Sequence, residues 1–594
     1  MTSPLEFLME ELTSDNPQQC IQCISRLRVI GLALGAEKTR SDLIPFLKGE
    51  IEAGKFTDEV QVSVAEVLGS FSEFVGPSSE AHCLFPPLEA LCAVEESTVR
   101  DQAVASINQV GAQLSAAQLQ THLAPLVLRL ARNKDWFTPR VSASGLVALA
   151  YSACEDAPAV GAELREEFKA LAGDDSPMVR RAAAARLGAV ADSYGTKLVE
   201  EELAPIYRGM VVDEGESVRV NALKQTALLC KNAELATRAL LLKECFTSCT
   251  RDKSWRVRIA AAESLPAVAE ACKDAGSPLS DELRGPLEAM YTALQSDHES
   301  EVRVAAALRG AEAAAALGTA FGEKHIFPTV SRLANDTNSV SRVELSTVCI
   351  ELAAPLGKAA ALEHVLPCLA LLADDELSNV RLAVIMQLGP FIDVVGLDGE
   401  AAAMLPLLER LGADKNWRVR HVILHLLPQL AATLGPAEFW SHFGEVCARR
   451  ASDSCALVRE DWVVLMAEIC GLGGFGQAWA EETLLPIVTA LSGEQSYLLR
   501  AVVPSFTAGF AQILTPGSLE TKLVPAVLEM ASDRVPNLRM IAARALAACT
   551  PLVDPGMARE TIVPKLQEML GDADVDVKFE ADAALESDKL KGFC

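Results

Sequence analysis

The chain has 594 residues, half of them apolar but only 5% aromatic, and its 80 acidic against 53 basic residues leave a formal charge of −27. A surface this acidic repels phosphate backbones and anionic membranes over most of its area, so neither nucleic acid nor membrane is expected as a partner. Sixteen cysteines are scattered without a paired framework, mostly at positions that read as helix core, such as Cys154, Cys230, Cys349 and Cys470. They are expected to be buried thiols in a reducing compartment, the cytoplasm with the nucleus as a second location.

In chain order, the opening stretch from Met1 to Glu11 is acidic, unlike the basic start of a secretory signal. Cys20 and Cys23 form a lone C-x-x-C on a helical pattern, with no second pair to complete a zinc site. From there one phrase returns along the chain: an Asp, four variable residues, Val and Arg. It reads Asp174 to Arg180, Asp213 to Arg219, Asp252 to Arg258, Asp297 to Arg303, Asp375 to Arg381, Asp414 to Arg420 and Asp453 to Arg459. Weaker copies end at Gln61, Arg100, Arg140, Arg342, Arg500, Arg539 and Lys578. Successive anchors are 39 residues apart in nine of thirteen intervals, with 40 twice, 41 once and 45 once. A period near 40 predicts a two-helix solenoid unit, so the length reflects stacked hairpins and not several separate globular cores.

The unit around Asp174 shows how the second helix of a repeat is specified. Ser176 is placed to cap it and Pro177 occupies the first turn, where a missing N–H costs least. Val179, Ala182, Ala183, Leu187, Val190 and Ala191 form one apolar stripe, Arg181 and Asp192 stay off it, and Gly195 ends the helix. The preceding helix carries a proline after two apolar residues (for example Pro45, Pro125, Pro205, Pro367 and Pro564), which is expected to break a backbone bond and kink it. Asp and Arg recur in register, which favours a ladder between adjacent turns over independently solvated charges, although an exposed pair contributes little. The 45-residue interval places a longer turn near 273–281, marked by Gly276, Ser277 and Pro278. Ala501 to Leu519 is the longest uncharged stretch, but its prolines and polar residues make it a core helix and exit turn. Cys594 stands last, without the three following residues of a prenylation motif.

No catalytic constellation emerges, and the expected protein is not an enzyme and has no cofactor. Gly471 to Gly476 satisfies G-x-G-x-x-G but follows a helix where a dinucleotide site needs a strand, so it reads as an inter-repeat turn. His421 and His425 are four apart on a helix, yet no acidic residue lies between them and no third ligand is evident nearby, so packing and surface roles are expected and no metal is assigned. The turns are more informative. Three residues before the anchor most repeats carry something small or polar, but four carry Phe137, Trp255, Trp417 or Tyr497, with Trp136 beside the first. Each ring either folds over its own helix pair or faces a partner; the second reading is preferred because core positions of these turns are served elsewhere by small residues, and Arg256 and Arg418 stand beside two of the rings. The rings fall into two groups, in repeats four and seven and in repeats eleven and thirteen, which implies two partner sites.

These turns also carry a resemblance. Asp252-Lys-Ser-Trp-Arg-Val-Arg258, Asp414-Lys-Asn-Trp-Arg-Val-Arg420, the phrases starting at Asp135 and Asp174, the stretch from Leu32 to Asp42 and the terminal Asp574 to Lys578 resemble the HEAT-repeat scaffolding A subunits of protein serine/threonine phosphatase 2A. The resemblance implies an all-α, right-handed α-solenoid, a superhelical horseshoe of about fifteen HEAT repeats spanning 3–592, roughly 130 Å of curved rod at the usual helix spacing. It implies a non-catalytic scaffold that binds the catalytic subunit through repeats 11–15 (397–592) and a variable, B-type regulatory subunit through repeats 1–8 (3–318), with repeats 9–10 (319–396) between. It places Lys415, Trp417, Arg418 and Tyr497 on the catalytic-subunit side, and Trp136, Phe137, Pro177, Met178, Arg181, Trp255 and Arg256 on the regulatory side. Ala456, where repeat twelve lacks an aromatic, and Gly471 to Gly476 depart from the family pattern. A nuclear transport receptor, also an acidic HEAT solenoid, is the alternative; such receptors are usually longer and less regular.

Overall fold

The second helix of each repeat begins where the recurring phrase puts it, three residues before the anchor: at Ser97, Phe137, Pro177, Glu216, Trp255, Ser300, Ser339, Ser378, Trp417, Ala456, Tyr497 and Pro536. A computed structural model describes residues 12, 16–274, 277 and 279–587, and among these every regular element is helical. The fold is an all-α solenoid. The opening residues Met1 to Glu11, Cys594, and Gly276 and Pro278 of the long turn lie outside the described residues. Two units are distinguished, Met1–His325 and Ile326–Cys594. In each, second helices pack on the second helices of the next repeat, as Pro177–Tyr194 does on Glu216–Lys224 and Trp417–Leu424 on Ala456–Cys470.

The apolar stripe of Pro177–Tyr194 is buried as expected at Val179, Ala183, Leu187, Val190 and Ala191, while Ala182 stays half-exposed. Gly195 stops the helix with φ 75°, a left-handed conformation that glycine adopts without steric cost. Ser176 does not act as the cap: its hydroxyl makes no cap bond, and its own N–H donates to Asp174 Oδ1 at 2.8 Å. The anchor aspartate therefore organises the turn, and Asp213, Asp252, Asp297, Asp375, Asp414, Asp453, Asp533 and Asp572 each accept the N–H two residues on in the same way.

The ladder exists, and it is mostly buried. Arg180 lays Nε and Nη2 on both carboxylate oxygens of Asp213, at 2.7 and 3.1 Å, while its Nη1 donates to the carbonyl of Asp174 in its own repeat at 2.8 Å. One guanidinium thus joins two successive turns. The same pairing links Arg140 to Asp174, Arg219 to Asp252 and Arg258 to Asp297 in the first unit. In the second unit it links Arg342 to Asp375, Arg381 to Asp414, Arg420 to Asp453 and Arg539 to Asp572, while Arg500 reaches Asp533 through Nη2. The side chains of Arg258 and Asp297 are only 5% and 6% exposed, so the weak exposed pair is the wrong energetic reference. Two rungs differ. For Arg100 the equivalent position of the next repeat is Asn133 instead of an aspartate, and the guanidinium donates to the carbonyls of Val94 and Glu95. Arg459, buried and donating to Asp453 O, faces the 41-residue interval, where the next anchor position is Glu494 and no carboxylate of the described residues bridges to it.

The prolines act by widening the helix. Before Pro45, Pro125, Pro205, Pro367, Pro486, Pro525 and Pro564 the chain makes one π-turn, in which the residue preceding the proline donates its N–H to the carbonyl five positions back, as Ala204 does to Val199. The helix continues with the proline at its second position, so the missing N–H is absorbed in a bulge. Pro86 and Pro406 follow 3₁₀ segments instead. Val502–Phe510 is a core helix followed by a turn, and Gly471 to Gly476 form the turn after Ala456–Cys470, with Gly474 and Gly476 at positive φ. The helix Ser378–Val395 is long and apolar enough to cross a membrane, but half of it is buried and its Arg381 is a ladder rung.

Candidate partner-binding rim

A side chain at the first position of a helix leaves the cylinder beside its unpaired N–H groups, and the N-cap fixes the direction of departure. Ser254 Oγ accepts from Arg256 N at 3.2 Å and Asn416 Oδ1 from Arg418 N at 2.9 Å, so Trp255 and Trp417 stand at firmly capped helix starts. In the phrase that opens at Asn133, the asparagine side chain takes the N–H groups of Asp135 and Trp136. None of the five rings is sealed in its hairpin. Trp136 is 64% exposed, Phe137, Trp255 and Tyr497 are each 38% exposed, and Trp417 is half-buried.

Each of two tryptophans carries a guanidinium on its face. Arg256 lies 4.6 Å from the Trp255 ring centroid and Arg418 lies 4.7 Å from that of Trp417. The stacking holds both groups in one arrangement, which lowers the ordering cost of a contact made with them. Arg256 is further steadied by Glu216 at 3.7 Å, and Glu216 accepts from Ser254 Oγ at 2.7 Å.

The expected residues gather in two places. In the first unit a groove of 440 Å³ runs across second helices and is lined by Phe137, Met178 and Arg181 together with Arg100, Arg186 and Asn221. Trp136 and Pro177 are exposed at the same helix starts, and Trp255 with Arg256 stands two repeats beyond Pro177. In the second unit a groove of 520 Å³ is lined by Lys415, Trp417 and Arg418 with Glu376, Leu377 and Arg381. Tyr497 belongs to neither groove and begins Tyr497–Arg500 two repeats further on.

Two features were not anticipated. One position beyond the rings, the second residue of the helix, four repeats expose an aliphatic or Met side chain: Met178, Val340, Leu457 and Leu498. Only Met178 was expected; the common offset, two residues before the anchor, is the signal that finds the others. The rim at repeat twelve is thus apolar through Leu457 although Ala456 lacks a ring. The second feature is Asp461, which approaches His421 and His425 from the neighbouring repeat, its Oδ2 lying 2.5 Å from His421 Nε2 and 3.2 Å from His425 Nε2. A carboxylate 40 residues away in sequence is invisible to a search for local ligand spacing.

Comparison with known proteins agrees with the repeat reading. A HEAT-repeat family model matches residues 241–272, which include the Asp252 to Arg258 turn. The beta isoform of the A-type 65 kDa regulatory subunit of serine/threonine-protein phosphatase 2A from Rattus norvegicus is 46% identical over 185 residues, 31% of this chain and 30% of that protein. The A-type regulatory subunit of protein phosphatase PP2A from Schizosaccharomyces pombe is 38% identical over 269 residues, 45% of each chain. The alignments thus span between about a third and a half of the length of these curated relatives. Among solved structures, a chain of the Kap95p complex with RanGDP superposes with a TM-score of 0.53 at 11% identity, covering 98% of this chain and 76% of that one, a likeness of fold alone. This chain is an all-α solenoid that matches the HEAT-repeat model at 241–272 and is similar in sequence, over part of its length, to the A-type regulatory subunits of protein phosphatase 2A.

Proposed function

We propose that the protein is a non-catalytic scaffold that assembles a protein phosphatase 2A type holoenzyme. Repeats within 397–592 take the metallophosphatase catalytic subunit, with Lys415, Trp417, Arg418 and Tyr497 as its contacts. Repeats within 3–318 take a variable regulatory subunit through Trp136, Phe137, Pro177, Met178, Arg181, Trp255 and Arg256. The observation that carries this reading is the repeated placing of an exposed ring at the first residue of a second helix, twice with a stacked arginine, in a chain whose relatives are named as phosphatase regulatory subunits. Trp, Tyr and Arg are the residue types that dominate binding energy at interfaces; the groove in the first unit sets Arg181 beside exposed Phe137 and Met178, and the groove in the second sets Trp417 and Arg418 beside exposed Leu377. Two partners held on one chain meet at high effective concentration, which is the whole of the mechanism: the scaffold fixes which substrates reach the active site without touching the chemistry.

The test is calorimetric titration of the chain with purified phosphatase 2A catalytic subunit. Trp417→Ala removes a central anchor and is expected to cost about 2 kcal/mol, a loss of roughly thirtyfold in affinity. Its melting temperature should change little, since the half-buried ring stands at a helix start with the Arg418 guanidinium on its face. Unaltered affinity in the variant would remove Trp417 from the contact, and absence of any binding by the parent chain would overturn the assignment.

A further inference from the structure

His421 and His425 stand one turn apart on one face of Trp417–Leu424 and its C-terminal cap, and the sixth residue of Ala456–Cys470, Asp461, faces them from the next repeat. The three donor atoms lie within 4.8 Å of one another, and one carboxylate oxygen sits at 2.5 and 3.2 Å from the two imidazole Nε2 atoms. The imidazole planes are nearly perpendicular, at 80°, with centroids 5.1 Å apart, so the two rings converge on the carboxylate from different directions. We propose that His421, His425 and Asp461 form a binding site for a divalent transition cation of the zinc class, one that ties the second helices of two successive repeats together beside the Trp417 groove.

The donor set selects the ion. Two imidazoles and one carboxylate suit zinc and its first-row neighbours, whereas calcium and magnesium need shells made of oxygen. Bonds of about 2.0–2.1 Å to a tetrahedral ion separate neighbouring ligand atoms by roughly 3.3 Å. The His425 contact at 3.2 Å already has that spacing, and the 2.5 Å contact of His421 opens when a cation replaces the shared proton. Adjustment is easy on the outer side, because the His425 side chain is 52% exposed while His421 and Asp461 are largely enclosed. The exposed side leaves the fourth position to water. His421 also meets Trp417 edge-on at 6.3 Å, so an ion here stiffens the base of the ring without covering it. The site is independent of the identity of the scaffold's partners.

The experiment uses the full chain, stripped of metal with a chelator and titrated with Co²⁺ followed by its visible absorption, then with Zn²⁺ by calorimetry. One saturable Co²⁺ per chain with a nitrogen/oxygen ligand spectrum, displaced by Zn²⁺, is expected. His425→Gln and Asp461→Asn, both close in shape to the parent and checked by circular dichroism, are each expected to lose at least tenfold in affinity. Failure of the parent to take up one saturable ion, or equal uptake by parent and both variants, would overturn the site.

Discussion

At the scale of single residues, the anchor aspartate and arginine do different work from the rim rings a few positions away. Asp453 is the extreme case: Arg420 binds it at 2.7 Å through two nitrogens, Arg450 reaches the same Oδ2 at 2.6 Å, and its side chain is 2% exposed. Asp453→Ala leaves two buried guanidinium groups without their carboxylate, and a loss of about 3–5 kcal/mol is expected in denaturant unfolding; a change under about 1 kcal/mol would show that water replaces the carboxylate at little cost. Acid should act on the same rungs. Burial works against ionisation of Asp213, Asp375, Asp453 and Asp533, but the paired guanidinium and the turn N–H prevail and hold each carboxyl below its ordinary value of 3.8; at Asp572 the Arg539 hydrogen bond leads. A depressed folded-state pKa contributes stability that is fully present above the unfolded value and is lost as pH falls through the folded one. The melting temperature is therefore expected to hold between pH 7 and about 5 and to drop below about 4 on this account. A midpoint that rose on acidification would contradict the ladder's role.

At the scale of the helix, the sequence announces a repeat but not what its polar residues cost or contribute. Period, helix starts and the apolar stripe were legible because each follows from local spacing: Pro177 and Trp255 open their helices where the anchor predicts. Burial of the ladder was not legible, since Arg180 and Asp213 are 33 residues apart and only packing closes water out between them. The same holds for Asp461 against His421. Ser176 misled because local spacing does not separate it from Ser254, which caps its helix in a turn of the same kind, and the π-turns went unseen because proline forbids one bond without dictating its replacement. The rim was legible in its rings and missed in Val340, Leu457 and Leu498, since an aliphatic side chain carries no sign of exposure by itself. Cysteines follow the readable rule. Burial pushes the thiols of Cys92, Cys249, Cys447, Cys470 and Cys549 up to about 12. Titration with a thiol reagent at about pH 8 should therefore find these five unreactive until the chain unfolds, and rapid native-state labelling of Cys92 or Cys447 would show that their helices open.

At the scale of the molecule, a solenoid has no central core, and each repeat is supported by its neighbours. Perturbation should accordingly stay local. Asp453→Ala is expected to speed amide exchange in Trp417–Leu424 and Ala456–Cys470 while leaving Pro177–Tyr194, in the other unit, unchanged; uniform loss of protection along the chain would indicate a single cooperative structure. The same modularity lets one chain present separate binding rims, and the scaffold reading depends on that. It is tested most directly by an exchange footprint of the chain with and without the phosphatase 2A catalytic subunit. The account predicts protection at the helix starts around Trp417 and Tyr497, with the starts at Phe137 and Trp255 left open for a second protein. Protection confined to the first unit, or a bound complex with no protection at any ring-bearing helix start, would contradict it.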